Sequence, residues 1–440
     1  MIQTRPVSLA PILAINVIGT LGFSLVLPFL VFLVTDWGGN ALVYGLTGAT
    51  YSVFQLIGAP LLGRWSDRVG RRRVLLVSQT GTLLSWLIFL GAFALPRIEL
   101  LEVDSAFTGQ FVLTLPLVIL VVARALDGVT GGNISVANAY VADITTEDAR
   151  TQAFGRMAVS SNLGFVLGPA LAGVLGATTL GPVAPVGAAA AISLAATLAI
   201  LFRLPESNPC ALSESLERGS VRKLFGQEPR DCFERQGAPS TLDVLRAGHT
   251  GLARVLAMHF LVMLSFNFFY VTFPIFAVGR LEWSLPATGT FFAVMGLLMV
   301  AVQGPLLGWI TRHVRESSLV VGGSLLLAAS FWLFNSPSTP RIYAAVVLMA
   351  LGNGVMWPSV LALLSRVAGE RDQGAVQGLS GSLGAVASVT GLVLGGLLYA
   401  SIGPRVFQVS AAVTLAVALV GLTTTRLAPG EQTRKVAGPR

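Results

Sequence analysis

The residues best able to do chemistry in this chain are two ionisable side chains inside a long apolar stretch. Arg124 and Asp127 stand three positions apart in VVARALDGVTGG, a spacing that puts them on one face of a helix and lets them pair within a turn. Ionisable groups in an apolar span are costly, and by default they face a cavity or a partner and are functional. The pair is therefore a candidate functional site. The alternative is a structural ion pair that locks this helix against a neighbouring one.

A second group of charges lies between two apolar stretches, in the segment GRWSDRVGRRR at residues 63–73. Gly63 would let a neighbouring helix approach closely, and Asp67 can accept hydrogen bonds from a helix N-terminus or from an arginine. Arginines at the ends of apolar stretches also anchor the topology of a membrane protein. A gate and a simple anchor both remain open for this segment.

A third pattern combines small residues with a proline in GFVLGPALAG at residues 164–173. Gly164 and Gly168 are four positions apart, which permits close approach of another backbone, and Gly173 follows five positions later. Pro169 removes a main-chain hydrogen bond and bends the helix. The pattern predicts a tightly packed, kinked helix.

The elements that carry these residues are predicted from composition. The chain has 440 residues, of which 54% are hydrophobic and 11% charged, against roughly 25% charged in ordinary soluble domains. A spanning helix needs about 20 apolar residues, and twelve stretches qualify. They lie at about 7–34, 43–64, 74–95, 111–142, 151–177, 183–203, 252–279, 286–311, 318–336, 341–367, 374–400 and 404–427. We expect an all-α membrane protein of twelve transmembrane helices.

Charge asymmetry predicts the orientation of these spans. With a cytoplasmic N-terminus, only Arg97, Arg280, Arg341 and Arg405 face outward and Arg124 lies within a span, while every other lysine and arginine is cytoplasmic. This distribution follows the positive-inside rule. Both termini are therefore expected in the cytoplasm.

The two halves of the sequence resemble each other. The motif PLLG at residues 60–63 recurs at residues 305–308, near the end of the second and of the eighth apolar stretch. Repeats of this kind indicate a transporter built from two pseudo-symmetric six-helix bundles. The predicted domains are an N-terminal bundle at 1–203, a charged Pro/Gly/Ser-rich cytoplasmic linker at 204–250, and a C-terminal bundle with a cytoplasmic tail at 251–440.

The segment at 63–73 resembles the signature loop between spans two and three of the major facilitator superfamily. The resemblance implies a cytoplasmic latch that holds the gate shut in the outward-open state. The residues assigned to it are Gly63, Asp67, Arg68, Gly70 and Arg71, with Asp143, which could instead interact with the N-terminus of the next helix.

Two further motifs resemble those of the drug/proton antiporter group of that superfamily, which includes tetracycline and multidrug efflux proteins. Arg124 followed by Gly128 resembles the fourth-span motif, in which the arginine is implicated in proton coupling. The glycines and proline at 164–173 resemble the fifth-span antiporter motif. Tetracycline antiporters carry an acid in span one, where this chain has Asn16. Asp127 is therefore the one deep carboxylate that the sequence offers as a proton carrier.

The resemblance also implies that spans one, four, seven and ten line a central cavity. Its candidate lining residues are aromatic and amide side chains, which suit lipophilic or amphipathic molecules; packing or lipid contact is the alternative for each. They are Asn16, Phe23, Asn267, Tyr270, Asn353 and Trp357. His259, in span seven, is expected to be structural.

Several functional classes are excluded or disfavoured by the sequence. Lys223 and Lys435 are the only lysines, so there is no GxxxxGK phosphate loop, and Cys210 and Cys232 are too few for a zinc site. No cofactor or metal, no nucleic-acid partner and no catalytic set is expected. A membrane enzyme and a transport-dead scaffold are disfavoured.

The expected activity is proton-coupled export of drug-like or amphipathic molecules by a multi-pass protein of the cell inner membrane. The expected partners are the substrate, protons and the lipid bilayer, and the protein is expected to be a monomer. Export of organic anions or metabolites, without obligatory proton exchange, is the alternative.

Overall fold

A computed structural model describes residues 8–105, 109–145, 147–207, 251–310 and 313–424 of the chain. The first half contains α1 (Ala10–Asp36), α2 (Ala41–Val69), α3 (Arg71–Ala92), β1 (Glu99–Ser105), β2 (Gly109–Thr114), α4 (Leu115–Gly131), α5 (Ile134–Ile144), α6 (Glu147–Gly176) and α7 (Val183–Arg203). The second half contains α8 (Leu252–Gly279), α9 (Leu285–Ala301), a π-helical turn (Val302–Leu306), α10 (Leu307–Ile310), α11 (Glu316–Phe334), α12 (Thr339–Ile402), a 3₁₀ turn (Gly403–Arg405) and α13 (Val406–Thr424).

Helix occupies the predicted apolar stretches, with two differences. The fourth stretch does not begin in a helix, because residues 109–114 form strand β2, which pairs antiparallel with β1. Helix α4 starts only at Leu115, with Pro116 in its first turn. Main-chain N–H groups in the first turn have no partner within the helix, so a proline there loses no hydrogen bond. The tenth and eleventh stretches lie in one continuous helix, α12, of 64 residues. The connecting sequence VAGERDQGAV contains several good helix formers and no proline, so nothing in it forces a break.

The breaks that do occur coincide with glycine or proline. Gly132 separates α4 from α5, and a Cβ at this position would lie 2.5 Å from the backbone nitrogen of Ala59 on α2. The π-helical turn contains Pro305, whose ring cannot donate the regular helical hydrogen bond. Small residues and prolines therefore set where the helices bend and where they cross.

By length and hydropathy, seven of the described helical segments could cross a membrane, or eight if the bent helix α1 counts as one span. The all-α membrane character is thus confirmed. The number of twelve spans stays a prediction.

The described residues form two compact units. The first takes the described residues of Met1–Ala238 with Asn267–Val300 and Ser388–Val406. Its apolar core includes the aromatic side chains of Phe29, Trp86 and Phe89, and α1 packs along α6 and α7 within it. The second takes the described residues of Pro239–Phe266, Ala301–Ala387 and Phe407–Arg440. The division into bundles at 1–203 and 251–440 stays a prediction.

Candidate functional site

Helix α4 carries a buried ion pair. The Nη1 atom of Arg124 lies 3.1 Å from Oδ2 of Asp127, and the two side chains are 1% and 6% exposed. The guanidinium carbon of Arg124 also lies 4.8 Å from the ring centroid of Tyr51 on α2, a distance at which a cation is attracted to the face of the ring. The pair is therefore held by its own helix and by α2.

The carboxylate of Asp127 has further partners on α3. The hydroxyls of Thr82 and Ser85 lie beside it; the Thr82 hydroxyl is 3.1 Å from the hydroxyl of Thr130 on α4, and the Ser85 hydroxyl donates to the main-chain oxygen of Thr82 at 2.7 Å. Thr82 and Ser85 are three positions apart, so they present their hydroxyls on one face of α3. The charge of Asp127 is balanced by a guanidinium and lies among polar hydroxyl groups, which lowers the cost of burying a carboxylate.

A second cluster surrounds Arg71, the first residue of α3. Its Nη1 lies 2.5 Å from Oδ1 of Asp67, and its Nε donates to Oδ2 of Asp143 at 3.0 Å. Asp143 is only 10% exposed, whereas Asp67 is 61% exposed. Because exposed ion pairs contribute little, the contact with Asp143 is the stronger of the two.

The same cluster includes the carboxylate of Glu206, which lies beyond α7. It accepts hydrogen bonds from the main-chain N–H groups of Arg71 at 2.7 Å and Arg72 at 3.1 Å. An anion at a helix N-terminus satisfies donors that have no partner within the helix. The Ser207 hydroxyl donates to Asp143 at 3.2 Å. The chain that leaves α7 is thus fastened to the start of α3.

Gly70 makes room for this carboxylate. Its φ is +109°, a conformation that side-chain-bearing residues rarely adopt, and a Cβ would lie 2.6 Å from Oε2 of Glu206. Two other predicted gate residues make looser contacts. A Cβ at Gly63 would lie 3.5 Å from the hydroxyl oxygen of Ser135 on α5, an ordinary contact distance, and Arg68 is exposed.

The glycines of α6 are contact points with other helices. A Cβ at Gly164 would lie 2.8 Å from the carbonyl oxygen of Val17, and one at Gly168 would lie 2.9 Å from the backbone nitrogen of Leu25, both on α1. Gly173 instead faces the backbone of Gly289 on α9. Pro169 lies inside α6 and is buried.

Asn16 lies at the same α1–α6 contact. Its amide nitrogen lies within hydrogen-bond distance of the main-chain oxygen of Met157, at 3.1 Å, and of the hydroxyls of Ser160 and Ser161, at 2.6 and 2.7 Å. The side chain of Phe23 lies outside the described residues. The structure therefore gives Asn16 a helix-packing contact, and a cavity-lining role for it stays a prediction.

The other predicted cavity residues divide between the two units. In the first, Asn267 donates to the hydroxyl of Ser388 at 3.2 Å, and the ring of Tyr270 lies parallel to that of Phe292 with centroids 6.4 Å apart. In the second, Asn353 is buried and Trp357 lies beside His259.

The sequence matches the family described as the Major Facilitator Superfamily over residues 12–341, with a second match over residues 255–440. The chain belongs to the Major Facilitator Superfamily. It is therefore a multi-pass membrane transporter of small molecules, and not an enzyme.

Proteins of known description show the same membership. The chain is 28% identical over 393 residues to the class E tetracycline resistance protein of Escherichia coli, covering 88% of this chain and 87% of that protein. It is 26% identical over 381 residues to major facilitator superfamily domain-containing protein 10 of Mus musculus, covering 86% of this chain and 77% of that protein. The likeness to a tetracycline resistance protein supports a drug exporter in the broad sense.

Solved structures show the superfamily fold. The crystal structure of the human organic anion transporter MFSD10 (TETRAN) matches with a TM-score of 0.63 and 23% identity, covering 96% of this chain and 100% of that chain. The xylose transporter XylE from E. coli, in a partially occluded inward-open conformation, matches with a TM-score of 0.68 and 14% identity over 94% and 97% of the two chains. Both likenesses concern the fold alone.

Several of the contacts described above were not predicted from the sequence. Glu206 falls in the stretch assigned to the linker at 204–250, although its position just after α7 and the arginine run of α3 are complementary in charge. Thr82 and Ser85 gave a weak signal, since hydroxyls are common in apolar helices. Tyr51 gave no signal beyond being aromatic.

Proposed function

We propose that this transporter exports drug-like or amphipathic small molecules by alternating access, in exchange for protons carried by Asp127. The observation that supports this most directly is the Arg124–Asp127 pair, which is enclosed by α2, α3 and α4. Protonation of Asp127 would remove the counter-charge of Arg124 and change the charge inside the bundle by one unit. A conformational change that admits water to the pair would therefore couple proton movement to transport.

The cluster around Arg71 is proposed as the cytoplasmic latch. Asp67 and Asp143 both contact the guanidinium, so separation of α2 from α5 would break at least one charge-assisted bond. The small residues Gly164, Gly168 and Gly173, with Pro169, are proposed to serve as the antiporter motif of α6. We further propose that the protein works as a multidrug antiporter, as a monomer, in the cell inner membrane with both termini in the cytoplasm.

Export of organic anions is the second candidate. Arg124 could bind an anionic group if Asp127 were protonated, and Asn16 replaces the acid expected in span one of a tetracycline antiporter. The solved structure of a human protein titled an organic anion transporter has the same fold. In this case Arg124 would act as a substrate ligand.

The test is substrate-induced proton release from the purified protein in weakly buffered detergent, with a panel of cationic, neutral and anionic amphiphiles. Asp127→Asn keeps the shape of the side chain and removes its titration. Asp104→Asn, on the exposed hairpin strand β1, is the matched control. Binding of each amphiphile is measured in parallel to show that both variants are folded.

Proton release by one class of amphiphile that is lost in Asp127→Asn and kept in Asp104→Asn supports antiport. Binding without proton release in the native protein contradicts proton exchange. If the bound amphiphiles are then anionic and Arg124→Gln abolishes their binding, the second candidate is favoured.

A further inference from the structure

A buried histidine in the second compact unit has one ring nitrogen without a hydrogen-bond partner. His259 lies on α8 and is 5% exposed. Its ring makes a hydrogen bond with the backbone of Ser380 on α12, but Nδ1 has no partner among the described residues. A buried polar atom without a partner costs free energy and needs an explanation.

The surroundings of the ring fix which nitrogen carries the hydrogen. A Cβ at Gly384, one turn after Ser380, would lie 3.4 Å from Nε2, so Nε2 is the nitrogen that faces this part of α12. The main-chain N–H of Ser380 is used inside the continuous helix α12, so the backbone group that meets the ring is the carbonyl. A carbonyl can only accept, so Nε2 donates to it. In a neutral imidazole the other nitrogen is then an acceptor. Nδ1 is therefore a buried acceptor that needs a donor.

The imidazole ring of His259 lies against an aromatic side chain. The ring centroids of His259 and Trp357 are 5.3 Å apart with planes inclined by 31°, and Trp357 is only partly buried. Trp357 and Asn353 are four positions apart on α12, and Asn353 is 9% exposed. Within this unit, an imidazole with one unpaired ring nitrogen thus packs against an indole ring, and small-molecule sites combine aromatic surface with a few polar groups in this way.

We propose that His259 and Trp357 form a substrate contact point for planar aromatic molecules that carry a neutral hydrogen-bond donor, such as a phenol or an amide N–H. The present structure encloses Nδ1, so the donor bonds to it in a conformation that opens this nitrogen, while the ring of the substrate packs against Trp357. A substrate with a carboxylate at the same place would be disfavoured, because the carboxylate oxygen and Nδ1 are both hydrogen-bond acceptors. The inference rests on the proposed export function, for which it names a substrate class and a specificity-determining residue.

The test uses two probes that differ only in the donor, 2-naphthol and 2-methoxynaphthalene. Binding of each to the purified full-length protein is measured in detergent at neutral pH, where both are uncharged. We expect the native protein to prefer 2-naphthol by about five- to tenfold, as one hydrogen bond supplies. His259→Phe keeps an aromatic ring and is expected to lose this preference. Comparing variants cancels the unequal partition of the probes into micelles.

Two further variants complete the test. His259→Asn keeps an acceptor close to the position of Nδ1 and should restore part of the preference. His313 lies beside Trp309 with ring centroids 5.1 Å apart but is exposed, so His313→Phe is the matched control and should behave as the native protein does. Trp357→Leu should weaken both probes equally.

The proposal is overturned if the native protein binds neither probe, if it shows no preference, or if the preference persists in His259→Phe. None of these results depends on proton release or on Asp127. Failure of this contact point can therefore be told apart from failure of the proposed antiport, which the Asp127→Asn experiment measures by itself.

Discussion

Glu206 offers the sharpest test of how the start of α3 is held. Its carboxylate accepts the main-chain N–H groups of Arg71 and Arg72. Glu206→Gln keeps one acceptor oxygen, replaces the other by an amide nitrogen that cannot accept, and removes a negative charge from the N-terminus of a helix. Loss of one capping bond and of the charge should cost about 1–2 kcal/mol of local stability. This corresponds to an opening equilibrium about five to thirty times larger.

Hydrogen–deuterium exchange followed by mass spectrometry measures this opening directly. In Glu206→Gln, a peptide that covers the first turn of α3 should exchange about five to thirty times faster than in the native protein, provided that reclosing is faster than chemical exchange. Glu102→Gln, on the exposed strand β1, makes the same chemical change away from any helix end. Unchanged exchange in Glu206→Gln, or an equal acceleration in Glu102→Gln, would refute the capping role.

Two matched pairs test the remaining contacts by thermal unfolding in detergent. Gly168→Ala places a methyl group 2.9 Å from the backbone of α1, whereas a methyl group at Gly22 meets nothing within 4 Å. We expect Gly168→Ala to cost about 1–3 kcal/mol of stability and Gly22→Ala to leave the unfolding midpoint unchanged or raise it. Equal midpoints for the two variants would contradict the close crossing of α1 and α6. Asp143→Asn should lower the unfolding midpoint more than Asp67→Asn does. Hydrogen bonds to a charged, mostly buried group contribute about 1.5–3 kcal/mol, whereas an exposed ion pair contributes about 0–1 kcal/mol. The reverse order of midpoints would contradict this ranking.

Local spacing made part of the site predictable. The pairing of Arg124 with Asp127 follows from a separation of three residues on one helix, and this needs no knowledge of any other helix. The lengths of the apolar stretches likewise indicated helices and a membrane. Superfamily membership followed from three motifs, each contained in a short segment of the chain.

Contacts between distant segments could not be predicted in the same way. Glu206 meets Arg71 across 135 positions, and no periodicity relates the end of one helix to the beginning of another. The strand β2 was hidden because FVLT is as apolar as the helix that follows it. The continuity of α12 was missed because charged residues were taken as a loop, although arginine, glutamate and glutamine are good helix formers.

The position of Asn16 bears on which residue can carry a proton. Tetracycline antiporters have an acid in the corresponding motif, and here an amide nitrogen is directed at a main-chain carbonyl and two hydroxyls of α6. An ionised carboxylate could not donate to the Met157 carbonyl as this amide does, and the amide fastens α1 to α6 beside the close contacts of Gly164 and Gly168. Asn16 does not titrate, and the proposal of proton exchange therefore rests on Asp127 as its carrier. If that proposal holds, Asp127→Asn should abolish proton release completely, and a partial loss would mean that a second group in the chain shares the proton.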